Sequence, residues 1–168
     1  VTDPEPLVRS LAARGLRAGT ADTANLREPT VALLRSLLTD PDAQVRINAV
    51  RSLATYRDTG NIAPMAAMLA EGDGNVAIAA LESLANNGGG LGDIENVARA
   101  TDRPIGIRNA ALIALTRIAP DKAVPVANEW LAAPEWLNRL FGLRAMIATR
   151  TLIGAAASRQ AVQDKDPR

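Results

Sequence analysis

Between Asp40 and Ala54 the apolar residues fall at 45, 49, 50 and 53, the spacing of one helix face. Asp40 and Pro41 precede them as a start signal. An aspartate caps a helix, and proline fits the first helical position because its missing N–H would be unpaired there anyway. The same pattern, Val45-Arg46-x-x-Ala49-Val50-x-x-Leu53, recurs at steps of 31 residues. It lands on Val76, Ala80, Leu81 and Leu84, then on Ile107, Arg108, Ala111, Leu112 and Leu115, then on Arg139, Gly142, Leu143 and Met146. A step back of 37 residues gives Val8, Arg9, Ala12 and Leu16, the extra six falling in the polar stretch Arg17 to Arg27.

A second helical pattern runs between these copies. Leu38, Leu69, Ala100 and Leu131 are 31 apart, as are Leu34, Met65, Asn96 and Ala127. The unit is therefore helix–turn–helix, and such units bury their apolar faces only by stacking on neighbours. Ala12, Ala49, Ala80, Ala111 and Gly142 share one position, where a small side chain lets a neighbouring helix come close. In order, the chain reads as a helix over 7–17, a loop over 18–28, and a helix beginning at Pro29. The stretch from 40 follows, then a loop over Tyr56 to Asn61 and a helix with Pro64 in its first turn, where proline is tolerated. Asp73 caps a helix over 76–85, ended by the glycine run to Gly92. Further helices span 93–100, 106–118 and Pro120 to Leu131, and the last starts at Glu135 and continues apolar through Ile153 before a polar tail over 158–168.

An acid and proline followed by Val-Arg-x-x-Ala-Val-x-x-Leu, recurring in register, resembles the HEAT-repeat superfamily in its short bacterial form, the kind also found in phycobilisome-lyase-like proteins. The period of 31 is shorter than the ~40–47 of longer HEAT repeats, and the tetratricopeptide and ankyrin signatures are absent. The resemblance implies an all-α fold, a right-handed α-solenoid of about five helix pairs. The repeat units run over 1–24, 25–57, 58–88, 89–119 and 120–150 within a single domain. The initial Val and the missing first helix of the first pair fit a piece excised from a longer protein.

Composition narrows the chemistry. With no cysteine and no histidine, the chain holds no disulfide, no Cys or His metal ligand and no histidine general base. A net charge of +1 argues against a dedicated nucleic-acid binder, which carries a basic surplus. No apolar run reaches the ~18 residues that suggest a membrane span. No signal peptide is visible, so cytoplasm and periplasm both fit. No cofactor or metal is expected: the close acidic pairs, Asp40 with Asp42 and Asp93 with Glu95, sit at helix starts where the dipole favours them. The glycine run lacks the Gly-Lys-Ser/Thr ending of a phosphate loop and follows a helix rather than a strand.

Two sets of residues stand out. The first is structural. Arg46 lies on the apolar face, where a cation needs a partner. Arg9, Arg46, Arg108 and Arg139, with the acids Asp40, Glu71 and Asp102, are expected to form a ladder in which each arginine reaches an acid or carbonyls of an adjacent repeat, with gaps at Ala77 and Ala133. The second set is the face away from the core on the second helices, the expected concave binding surface. It holds Gln44, Asn48, Arg51 and Thr55, then Glu82, then Ile113 and Arg117, then Phe141 and Arg144. Trp130 and Trp136 flank the Pro134 turn and are expected to pack the end of the array.

These residues favour a scaffold that binds a protein or peptide and performs no chemistry of its own. The alternative is the helical-repeat region of a larger enzyme whose catalytic domain, for example a cyclophilin-type prolyl isomerase, lies elsewhere. HEAT-like alkylpurine DNA glycosylases resemble the chain in fold. They use a basic groove with aromatic residues, whereas this chain has four aromatic residues in all.

Overall fold

The computed structural model describes residues 3–19 and 24–149, together with 156, 158, 159 and 162. Among these residues the secondary structure is entirely helical, with no strand. The chain divides into two units, Val1–Gly90 and Leu91–Arg168.

The first unit contains α1 (Pro6–Gly15), α2 (Ala24–Ser36), α3 (Ala43–Ala54), α4 (Ile62–Ala67) and α5 (Gly74–Asn87). Both α2 and α4 end in a 3-10 turn, Leu37–Thr39 and Met68–Ala70. The helices pair as the spacing predicts: α2 packs on α3 and α4 on α5, while α1, α3 and α5 stack side by side. The repeated apolar positions form the core, with Val45, Ala49, Val50, Leu53, Val76, Ala80, Leu81 and Leu84 fully buried beside Leu34 and Met65. Burial of such side chains contributes ~1.5–3 kcal/mol each for the larger ones.

The second unit contains α6 (Leu91–Arg99), α7 (Ile105–Ile118), α8 (Pro120–Leu131) and α9 (Trp136–Ala148). Here α6 packs on α7, α8 on α9, and α7 against α9. Ile94, Leu112, Leu115, Val126 and Met146 are its buried centre. The one copy of the small-residue position that is glycine marks a close crossing of α9 on α8. A Cβ on Gly142 would lie 2.8 Å from the Ala127 carbonyl oxygen and 3.0 Å from the Leu131 nitrogen, both backbone atoms of α8.

Some boundaries differ from the sequence expectation. Asp42, not Asp40, caps α3: its Oδ1 accepts from the Val45 N–H at 3.0 Å, and Pro41 lies outside the helix. Asp40 instead accepts the Asp42 N–H at 2.9 Å and holds the turn before the cap. Residues 24–28, expected as loop, are helical. Pro29 is the sixth residue of α2 and forfeits only the bond to the carbonyl of residue 25, near the helix start. Arg27 anchors that first turn, donating to the Tyr56 carbonyl at 2.8 Å with its guanidinium over the Tyr56 ring. The glycine run is shorter than expected. Gly88, at φ 75°, ends α5 with its N–H bonded to the Ala85 carbonyl and the Gly89 N–H to that of Leu84. This is the left-handed termination glycine provides without a Cβ penalty. The expected continuation of the last helix through Leu152 and Ile153, and nearly all of the polar tail, lie outside the described residues.

Candidate functional site: the arginine seam and the outward stripe

The turn before each second helix creates a problem of unpaired carbonyls, since groups ahead of the cap take no part in the helix ladder. An arginine solves it. Arg9 donates Nη1 to the carbonyls of Asp3 and Pro4 at 2.8 and 3.1 Å. Arg46 does the same with Asp40 and Pro41 at 2.7 and 3.0 Å, and Arg139 with Ala133 and Pro134. Each arginine thus closes on the residues five and six before it. The expected contact with carbonyls of an adjacent repeat is replaced by one with its own turn, because the helix start brings those oxygens within reach of the same side chain.

The remaining guanidinium edge crosses to the next repeat in the first unit. Arg9 Nε and Nη2 pair with Asp40 at 2.8 and 2.9 Å, with the two side chains only 11% and 7% exposed. The Arg9 guanidinium holds the Asp40 carboxyl below the usual carboxylate range, and Asp40 in turn raises the Arg9 pKa. Arg46 Nη2 lies 3.5 Å from Glu71. In the second unit the ladder does not continue through Asp102 and Arg108 as ion pairs. Ala133 stands at the acidic position ahead of α9, so that position offers Arg108 no carboxylate. It lies over the Trp130 ring at 4.7 Å from the centroid and donates to the Ala98 carbonyl at 3.4 Å.

The stripe of second-helix residues is only partly open. On α3, Gln44 and Arg51 are exposed, and Arg51 pairs with Glu82 of α5 at 3.3 Å, both about half exposed. Asn48 and Thr55 are engaged in packing. Asn48 donates to the Ser10 hydroxyl at 2.8 Å, and Thr55 Oγ1 accepts the Ala18 N–H at 2.8 Å while donating to the Ser52 carbonyl. They tie α3 to the α1 side of the stack. On α7, Ile113 is 51% exposed and Arg117 is exposed one turn on. On α9, Arg144 is exposed, whereas Phe141 packs against buried Trp130 with ring centroids 6.4 Å apart. Trp136 is exposed.

The sequence reading missed two elements. One is that the proline of the motif, read as a helix start, is the residue on whose carbonyl the arginine five positions later closes: Pro4 with Arg9, Pro41 with Arg46, Pro134 with Arg139. That recurrence is visible in the sequence, and Arg108, with Arg103 at the corresponding place, breaks it. The other is the Arg35 junction, where Nε and Nη2 donate to the buried Asn61 Oδ1 at 2.9 and 2.6 Å; no repeat signals it. Among the described residues no group of three or more acidic side chains could hold a metal ion, and no helix is long and apolar enough to cross a membrane.

Known proteins agree with this geometry. A chain from the complex of CpcE and CpcF of phycocyanin lyase from Nostoc sp. PCC7120 superposes with a TM-score of 0.66 at 21% identity, over 98% of this chain and 68% of the other. A crystal structure of an engineered protein superposes with a TM-score of 0.61 at 20% identity, over 98% and 87%. No curated protein matches the sequence. Residues 1–85 match the family described as HEAT repeats. The stacked helix pairs, their recurring arginine turns and that match lead to one conclusion: the chain belongs to the HEAT-repeat family.

Proposed function

We propose that the chain is a non-catalytic scaffold that binds a protein or peptide on the outward stripe of its second helices. The carrying observation is Ile113. It is half exposed midway along α7, between the buried residues Leu112 and Ala114. It shares its repeat position with Arg51, Glu82 and Arg144, all exposed. An isoleucine held in water where the other copies place charge gains ~25 cal/mol per Å² once covered. Within the second unit, exposed Arg117 and Arg144 suit a partner segment that sets a carboxylate beside an apolar side chain. Within the first unit, Gln44 and the Arg51–Glu82 pair offer a polar, mixed-charge surface. The CpcE–CpcF assembly, a complex of two chains, supports a protein partner.

Affinity capture with wild type and with Ile113→Asp plus Arg144→Glu tests this reading. Both positions are exposed, so the variant should melt within about 1–2 °C of wild type, as surface substitutions do. Loss of a specifically captured protein is the expected outcome, and equal recovery of every captured protein by both forms would overturn it.

The likeness to a chain from a phycocyanin lyase complex favours one second reading, a helical-repeat part of a larger enzyme. The full gene sequence tests it: an adjoining catalytic domain, such as a cyclophilin-type prolyl isomerase, would support it.

A further inference from the structure

Asn87 alone among the asparagines of the sequence precedes a glycine. Such a pair is chemically labile. With no Cβ on the second residue, its backbone nitrogen can swing onto the side-chain carbonyl carbon of the first. The fold holds this pair apart from that reaction. Asn87 is the last residue of α5, and Gly88 follows it at φ 75°. The Gly88 N–H donates to the Ala85 carbonyl at 3.3 Å, which keeps the nitrogen in the helix termination. Asn87 Nδ2 donates to the Asp58 carbonyl at 3.2 Å, and the Asn61 N–H donates to the same oxygen at 3.0 Å. Asn61 is fully buried and accepts from Arg35. One junction therefore ties the end of α5 to the 58–61 turn and, through Asn61, to α2.

That junction is incompletely satisfied. Asn87 Oδ1 and Asn61 Nδ2 are both buried, and neither finds a partner among the protein's own groups. A buried polar group without a partner recovers free energy when it reaches water, which favours opening here. Gly88 is exposed, and the last turn of a helix opens more readily than its middle.

We propose that Asn87 is a modification site: it deamidates when the last turn of α5 opens, and the product releases the 58–61 turn. In the opened turn the Gly88 nitrogen gives its proton to hydroxide and bonds to Asn87 Cγ. The Cγ–Nδ2 bond breaks, and the side-chain nitrogen takes a proton from water and leaves as ammonia. Water then opens the cyclic imide at one of its two carbonyls. The product is aspartate, or isoaspartate whose main chain runs through Cγ. Neither offers an N–H to the Asp58 carbonyl, because an ionised carboxylate only accepts. Isoaspartate also lengthens the backbone just ahead of Gly88 and displaces it from the left-handed termination.

A peptide of residues 80–92 is the reference, too short to hold a helix in water. The full chain and the peptide are incubated at one mildly alkaline pH, and peptide mapping by mass spectrometry follows aspartate and isoaspartate at position 87. Conversion in the full chain should be slower than in the peptide by about ten- to a hundredfold, matching the protection of the Gly88 amide against hydrogen exchange. Asn87→Asp stands in for the product and should speed exchange of the Asn61 amide by about fivefold, the effect of one lost hydrogen bond. If that variant does not fold, the aged wild-type chain, separated by ion exchange, gives the same reading. Conversion at the peptide's rate, or no product after about a hundred peptide half-lives, would overturn the assignment of the site. Unchanged Asn61 exchange in the converted chain would overturn the release of the turn.

Discussion

The two units follow one repeat and stabilise its half-buried arginine differently. In the first unit the cation crosses to a carboxylate: Arg9 to Asp40 at 2.8 Å, Arg46 to Glu71 at 3.5 Å. In the second unit Ala133 removes the carboxylate, and Arg108 lies on the face of Trp130 at 4.7 Å. The small-residue position diverges as well. Ala49 and Ala80 in the first unit, and Ala111 in the second, fill it with no exposed surface, whereas Gly142 on α9 lets the α8 backbone come within 3 Å of where a Cβ would stand. The repeat therefore specifies where a group must sit and that a half-buried cation needs a partner. It does not specify the partner's chemistry, which changes from a carboxylate to an aromatic face where the acidic position holds alanine.

The largest expected effect comes from imposing on α9 the choice made by the first unit and by Ala111. Gly142→Ala installs the residue that every other copy carries. It gains helix propensity of ~1 kcal/mol, yet its methyl meets the Ala127 oxygen and Leu131 nitrogen, backbone atoms that cannot rotate away. Overpacking should dominate, with a net loss of about 1–3 kcal/mol and a lower Tm in thermal unfolding. A rise in Tm would show that α8 and α9 can separate freely and that the glycine reflects no close packing.

The next effect is specific to the first unit and depends on pH. Asp40 has its folded pKa lowered, chiefly by the Arg9 hydrogen bonds. Its contribution to stability is therefore full above the unfolded carboxylate pKa, ~3.9, and is lost as pH falls through the lower folded value. Asp40→Asn should unfold at a lower temperature than wild type at pH 7. The gap should narrow below about pH 4, as the wild-type carboxylate also becomes neutral. A gap that stays constant down to the acid limit would mean that the ion pair does not hold this seam.

Much of this was legible in the sequence, and the reason is periodicity. Helix pairs, the small-residue position and the arginine on the apolar face recur, so each copy corroborates the others. What recurs only once stayed hidden. The helical start at Ala24 depends on Arg27 meeting Tyr56, a contact 29 residues apart with no repeat behind it. The stripe was legible as a face but not as a set of free residues. Polarity alone does not distinguish Arg51, exposed on the stripe and paired there with Glu82, from Asn48, whose amide is taken by Ser10 in the packed seam. Phe141 read as an outward residue because the helical wheel omits α8, which brings Trp130 against it.

The smallest effect tests the second unit's solution directly. A guanidinium over an indole contributes ~0.5–1 kcal/mol at partly exposed sites. Arg108→Met keeps the apolar stem against Trp130 and removes the charge and the bond to Ala98. It should cost about 1 kcal/mol or less, and the loss should be the same at pH 7 and pH 3, since the acidic position holds Ala133 and has nothing to titrate. Trp130 is buried and also packs Phe141, so Trp130→Leu alone costs more. The informative quantity is the coupling between the two substitutions in a double-mutant cycle. A coupling of ~0.5–1 kcal/mol, unchanged with pH, would establish stacking as the substitute for the missing carboxylate. If Arg108→Met loses its effect on acidification, an acid of this unit neutralises Arg108 and both units use the same chemistry.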